Sequence, residues 1–206
     1  MNRRKPSQKR AKNSVEAIIN AGFISLAKNG LANTTTIHIA DIAGISPGTL
    51  YQYFDNKEAV YTAMERYFVN DILALLNSVV PEFIQLDIRA GVTFLLHKLS
   101  EKLLEDNGRY LKFARHGAHI FDENLSQHAH EIEKKLQEII MQYVMHHPEL
   151  MRIKSIPTFN YLIINGGILI IIRYLSESSP TISLEQLIDG LGNMAIRYIA
   201  GEMQDA

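Results

Sequence analysis

The sequence contains no cysteine, which excludes disulfides, thiolate metal sites and cysteine nucleophiles. It also lacks a long apolar run. The longest, Tyr161 to Ile172, covers 12 residues, includes Asn165 and is too short to span a bilayer. No signal peptide is expected, because Glu16 interrupts the apolar segment that follows Arg3, Arg4 and Lys5. No segment alternates with period two, and there is no internal repeat or low-complexity linker. A nucleophile elbow, a phosphate-binding glycine loop and paired acids in one site are all missing, so an enzyme is disfavoured and no cofactor is expected. What is present is a chain of 206 residues, 47% apolar, with a net charge of −1. That composition suits a soluble globular protein of one or two domains, here expected in the cytoplasm.

The small net charge hides an asymmetry. Residues 1–61 hold eight Lys/Arg against four acids, a balance of +4, which leaves −5 for the remainder. Six of those eight cations precede residue 13, with no acid among them. A basic arm ahead of a helical unit is one footprint of a nucleic-acid binder, although a solvated tail has the same composition.

Nearly every periodic stretch has helical spacing. Val15, Ile18, Ile19, Phe23 and Leu26 form one stripe, stopped by Asn29-Gly30. A short helix is predicted from about Thr35 to Ala43, ended by Gly44, and another from Ser46 to about Phe54. Asp55 or Asn56 then caps a long helix that Pro81 should break. Further helices are predicted over about 87–105, 108–121, 124–146, 157–177 and 183–203. The fold class is all-α. Residues 1–56 are expected to form a three-helix helix-turn-helix domain with a basic arm, and 57–206 a larger helical effector-binding and dimerisation domain.

The stretch ISPGTLYQYFDNKE, residues 45–58, carries the most information. Two short helices joined at Gly44 suggest a helix-turn-helix. Ala40 and Ala43 let the helices cross closely, and Ile39, Ile45, Leu50 and Phe54 can face inward. Ser46 suits an N-cap and Pro47 a first helical position. Gly48 and Thr49 keep the first turn slim enough to approach base edges in a major groove. Tyr51 and Gln52 point away from Leu50 and Phe54. Gln52 has the donor and acceptor for a bidentate contact to adenine, and Pro47 can meet a thymine methyl. Tyr53 and Lys57 suit phosphates. Taken singly, Tyr53 and Phe54 read equally as core, and Lys57-Glu58 as an exposed helix start.

Residues 34–61, TTTIHIADIAGISPGTLYQYFDNKEAVY, closely resemble the DNA-binding domain of the TetR family of bacterial transcriptional regulators. The resemblance implies DNA contacts from Thr35, Thr49, Tyr51, Gln52, Tyr53 and Lys57. One position departs from the family: Ile37 stands where Arg or another polar group is common, and His38 beside it is left to reach phosphate.

The resemblance also implies dimerisation through the last two helices and a small-molecule pocket in the larger domain. The segment FNYLIINGGILIIIRYL (159–175) is apolar nearly all round, as a helix buried on two sides would be. Gly166, Gly167 and Ile170, with Leu187, Leu191, Met194 and Tyr198 on the final helix, are the predicted interface of a homodimer. A monomer with one apolar core helix is the alternative. Two reading heads about 34–36 Å apart would then read a palindromic operator in double-stranded DNA. Phe68, Phe94, His97, Phe113, His116, Phe121, Met141, Phe159 and Asn165 are the predicted pocket for a small hydrophobic effector, although such spacing equally marks plain core. His116/His119, His128/His130 and His146-His147 invite a metal reading, but no flanking carboxylate completes a set, so no metal is expected. A repressor released from its operator by an effector is therefore expected. The alternatives are a DNA-binding regulator without an effector, controlled by a protein partner or acting as an activator, and a histidine-based metal sensor.

Overall fold

The computed structural model describes residues 5–116, 128–153 and 155–204. Among them every regular element is helical and no strand occurs. The α-helices in chain order are α1 (Lys5–Asn33), α2 (Thr36–Ala43), α3 (Pro47–Leu50), α4 (Lys57–Phe83) and α5 (Ile88–His116). Then follow α6 (Ala129–His146), α7 (Ile156–Phe159), α8 (Gly166–Leu175) and α9 (Leu184–Gln204). A 3-10 turn (Pro148–Arg152) follows α6, and a π-helical turn (Asn160–Asn165) joins α7 to α8.

By internal contacts the chain divides into two compact units, 1–70 with 108–128 and 71–107 with 129–206. The first thus includes the opening turns of α4 and the second part of α5. An aromatic cluster accounts for this. Phe23 of α1 meets Tyr110 and Phe113 of α5 edge-on, with ring centroids 5.6 and 5.3 Å away. Phe68 of α4 meets the same two rings at 5.2 and 5.6 Å. The Arg109 guanidinium lies 4.7 Å from the Tyr110 ring and 5.7 Å from that of Phe23, and donates to Asn20 Oδ1 at 3.2 Å. Ring edges on ring faces, with a cation over them, add attraction beyond simple burial.

Several helix ends follow from local chemistry. Gly30, at φ 74° and ψ 171°, interrupts α1 where Asn29-Gly30 predicts a stop. Asn56 caps α4, its Oδ1 accepting the Ala59 N–H at 2.8 Å. Ser183 and Gln186 satisfy one another's backbone N–H groups at the start of α9, at 3.1 and 2.8 Å. Asp106, Asn107 and Gly108 carry φ of 48°, 60° and 69° inside α5. The backbone thus turns left-handed where two separate helices were predicted, using the residue types that tolerate it best. Pro81 does not break α4 as expected, since the helix continues to Phe83. The proline costs one hydrogen bond, to the carbonyl four residues back, and so near the end little is lost.

In the second unit α9 lies close on α5. A Cβ on Gly192 would meet Thr93 Cγ2 at 2.8 Å, and Arg89 binds Asp189 at 2.8 Å and Asn193 at 3.0 Å. Tyr143 of α6 is buried, stacked on His147 with centroids 4.2 Å apart, and donates to the Leu86 carbonyl at 2.8 Å. Burial, helped by the charges of Asp87 and Glu149, pushes its phenol from 10 up to about 12. A raised acid is neutral in the fold while already ionised in the unfolded chain, so its contribution is lost as pH climbs from 10 to about 12. Tyr143→Phe is therefore expected to lower stability at neutral pH by about 1–2 kcal/mol. It should also reduce the alkaline decline, which urea unfolding at neutral and alkaline pH would measure.

The 12-residue apolar run sits within a continuous helical segment close to the helix predicted over about 157–177. Ile156–Leu175 is 20 residues, long and apolar enough to cross a membrane by length and composition, and 22% of it is buried. α7, the π turn and α8 join without a break, because the intervening asparagines do not end a helix.

Candidate nucleic-acid interface

α2 and α3 form the predicted helix-turn-helix. Thr35 caps α2 by accepting the His38 N–H at 3.2 Å, and Gly44 ends it at φ 68° and ψ 30°. That left-handed conformation is cheap for glycine and costly for any residue with a Cβ. Ser46 then caps α3, its Oγ accepting the Thr49 N–H at 3.0 Å and meeting Thr49 Oγ1 at 2.9 Å. Ile39, Ala40 and Leu50 are fully buried and hold the pair on α1, while Ile45 and Phe54 are half-buried. α3 is a single short turn, shorter than predicted. Tight turns carry the chain from Tyr51 to Phe54, whose N–H still reaches the Leu50 carbonyl at 3.0 Å.

All ten predicted DNA-contacting residues lie at the surface of this unit. Thr35, His38, Ser46, Pro47, Gly48, Tyr51 and Gln52 are exposed, and Thr49, Tyr53 and Lys57 half-exposed. Five already use their side chains within the protein: Thr35 and Ser46 serve as caps, Thr49 Oγ1 meets Ser46, His38 Nδ1 contacts the Asn33 carbonyl at 3.1 Å, and Tyr51 meets Thr36. Tyr51 is 51% exposed, and its hydroxyl lies 3.0 Å from Thr36 Oγ1. That contact fixes a long aromatic arm across the gap between α2 and α3. Thr36 thus joins the candidate interface, although sequence reasoning missed it. Its partner is 15 residues away, and no local pattern signals the pairing. Ile37 is 58% exposed on α2, an apolar group on the presented face.

Gly48 is informative for a different reason. A Cβ built there would have Ser46 Oγ at 3.8 Å as its nearest neighbour, so the fold leaves room for a side chain. The slimness of α3 therefore answers no internal crowding; what it favours is close approach from outside. Lys57 begins α4 with its ammonium 5.9 Å from the Tyr61 ring centre, at a helix N-terminus that already favours anions. Of the basic arm, Arg3 and Arg4 lie outside the described residues, whereas Lys5, Lys9, Arg10 and Lys12 stand in the opening turns of α1.

A model of the bacterial regulatory proteins of the TetR family matches residues 18–64. Over that stretch the chain is similar to the DNA-binding region of the TetR family. The HTH-type transcriptional repressor KstR2 of Rhodococcus jostii (strain RHA1) is 39% identical over 70 residues, 34% of this chain. That match spans about a third of the length of the repressor, 33%. Among solved structures, a TetR-family transcription regulator from Marinobacter aquaeolei VT8 is similar with a TM-score of 0.66 and 20% identity. It aligns over 93% of this chain and 97% of its own. The regulator FadR from Bacillus subtilis, solved in complex with stearoyl-CoA, has a TM-score of 0.53 and 18% identity over 91% of this chain and 98% of its own. At these identities the solved structures speak for the fold: a helix-turn-helix followed by a helical domain.

The predicted effector residues do not line one cavity. Phe68 and Phe113 are buried ring against ring in the first unit, tilted at 55°, and so fill the space between them. In the second unit Phe94 lies under Lys98, and His97 faces Glu185 at 3.4 Å. Phe159 borders an interior cavity of about 30 Å³, while Met141 and Asn165 border a larger cleft beside α6. The side chain of His116 and all of Phe121 lie outside the described residues. A further cavity, about 60 Å³, is lined by apolar parts of α4, α5, α6, the π turn and α8, including Leu76, Leu96, Ile163 and Ile168.

The predicted dimer residues divide as well. Gly167 and Leu191 are buried, Gly167 with Leu96 3.5 Å from where its Cβ would stand, so both face inward. Tyr198 is half-buried with its ring 5.9 Å from Phe159. Ile170 and Met194 are exposed, as are their apolar neighbours Leu162, Leu169 and Ile196. Gly166 and Leu187 are half-exposed. Among the described residues no group of three or more His, Asp or Glu stands ready to hold a metal.

Proposed function

We propose that the protein is a homodimeric transcriptional repressor that binds a palindromic operator in double-stranded DNA and is released by a small hydrophobic effector. The observation that carries this reading is the face of α2 and α3. Gly48 leaves open space on α3, Tyr51 and Gln52 just after it are exposed, Lys57 begins α4, and the turn between α2 and α3 is fixed by two side-chain caps. A slim turn enters the groove, polar and aromatic side chains meet bases, and the cations meet phosphates. The family match over residues 18–64 and the likeness to a repressor support the first half of the proposal, and the likeness to a regulator solved with stearoyl-CoA the second.

Dimerisation rests on the exposed apolar side of α8 and α9. Leu169 is 50% exposed and Met194 44%, an arrangement that a second copy would cover as a four-helix bundle. That same use accounts for the apolar Ile156–Leu175 segment without a membrane, in a cytoplasmic protein. α4 runs through both units, so an effector held in the second can move the reading head of the first. Coupling of this kind is typically about 1–3 kcal/mol.

A gel shift on operator DNA at stepped salt concentrations tests the DNA-binding half. One dimer per duplex, affinity falling steeply with salt, and about tenfold or greater losses for Tyr51→Ala and Lys57→Ala are expected. Equal affinity of wild type and both variants for every duplex would contradict it.

A further inference from the structure

Ile37 leaves more than half of a β-branched apolar side chain in water, at the start of an eight-residue helix. Its neighbours in that first turn are already engaged. Thr35 caps the helix, the Thr36 hydroxyl lies 3.0 Å from that of Tyr51, and His38 Nδ1 lies 3.1 Å from the Asn33 carbonyl. What the turn offers outward is therefore a group that can neither donate nor accept a hydrogen bond. The contact between Thr36 and Tyr51 also fixes where it stands. It ties the first turn of α2 to the exposed ring at the end of α3, within the candidate interface.

Phosphate is the wrong partner for this side of α2. Ile37 carries no charge, and Asp41, exposed and four residues on, sets a carboxylate on the same side. Such a surface is repelled by the DNA backbone and suits the floor of the major groove. Most base edges there are donors or acceptors, which an isoleucine would strip of water without replacing the hydrogen bond. The apolar group on that floor is the C5-methyl of thymine.

We infer that Ile37 is a specificity-determining residue that packs on a pyrimidine C5-methyl group, of thymine or 5-methylcytosine, in each half-site. The contact removes two apolar surfaces from water at once, so its loss is felt in affinity as well as in sequence preference. This inference rests on the DNA-binding reading above and deepens it, because it makes α2 a reader of sequence alongside α3.

Gel shifts on the operator recovered by selection test it, with thymines replaced position by position by deoxyuridine, which lacks only the methyl group. At one position, replacement in both half-sites is expected to weaken wild-type binding about tenfold. Ile37→Ala should bind the thymine and uracil duplexes alike, with an unchanged melting temperature, since the site is exposed. Pro47→Ala, which trims another apolar group of the presented face, should keep the sensitivity. Cytosine and then 5-methylcytosine at that position separate the two sources. Affinity regained with the methyl shows that either base serves, and affinity not regained assigns the contact to thymine. Selection with Ile37→Arg should change the preferred base at that position alone, towards guanine, whose O6 and N7 accept from arginine. An operator with no methyl-sensitive pyrimidine, or a uracil penalty as large in Ile37→Ala as in wild type, overturns the inference and leaves the DNA-binding reading standing. Failure to select any operator overturns that reading, and the inference with it.

Discussion

Phe23→Ala is expected to lower the stability of the chain by about 3–5 kcal/mol, the usual cost of emptying a buried aromatic site. Phe23 is 1% exposed and touches three further rings, Tyr67, Tyr110 and Phe113, at 6.3, 5.6 and 5.3 Å. Each such pair contributes about 0.5–1.5 kcal/mol beyond burial, and the Arg109 guanidinium would lose one of its aromatic faces. The cavity left behind cannot be filled by collapse, because α1 meets helices from two other parts of the chain there. Urea unfolding followed by circular dichroism would measure the loss, with Phe23→Leu as a milder comparison. DNA binding should fall with it, since the buried stripe of α1 is what supports α2 and α3. A change under about 1 kcal/mol would mean the cluster is not the keystone of this unit.

The second large effect concerns the proposed dimer. Leu169→Glu and Ile170→Glu, at 50% and 38% exposed positions of α8, should convert the dimer to monomer. An exposed site tolerates a carboxylate within the monomer at little cost, within about 0.5 kcal/mol. Across a two-fold interface the same charge meets its own copy in an apolar setting, so each change counts twice. Light scattering with size separation reads the mass. Operator affinity should fall on the order of 100-fold or more, because the second head no longer binds as part of the same molecule. A dimer that survives both changes would place the interface elsewhere.

How much of this was legible in the sequence depends on the kind of signal. Caps and turns are local, and so Gly44 and Ser46 could be read directly from residue type and position, and the cap of α4 narrowed to Asp55 or Asn56. The left-handed stretch at Asp106, Asn107 and Gly108 was legible in the same way, as a gap between two predicted helices. Pro81 misled because its effect depends on how near the helix end it falls, which periodicity does not reveal. The π turn left no trace in the apolar pattern. Aromatic residues at helical spacing look alike whether they meet one another or a cavity; Phe68 and Phe113 turned out to do the first. The α8 segment is apolar nearly all round, and such a helix carries no phase. That is why Gly167 could not be told from Ile170 until its neighbours were placed.

The most direct test of the central claim is selection of the purified chain against a pool of random duplexes at low and moderate salt, followed by sequencing. The account predicts enrichment of one palindrome whose half-sites lie about 34–36 Å apart, or a multiple of a helical turn, with binding that weakens as salt is raised. A pool that stays random after repeated rounds at low salt would contradict the reading of residues 45–58 as a groove-reading element.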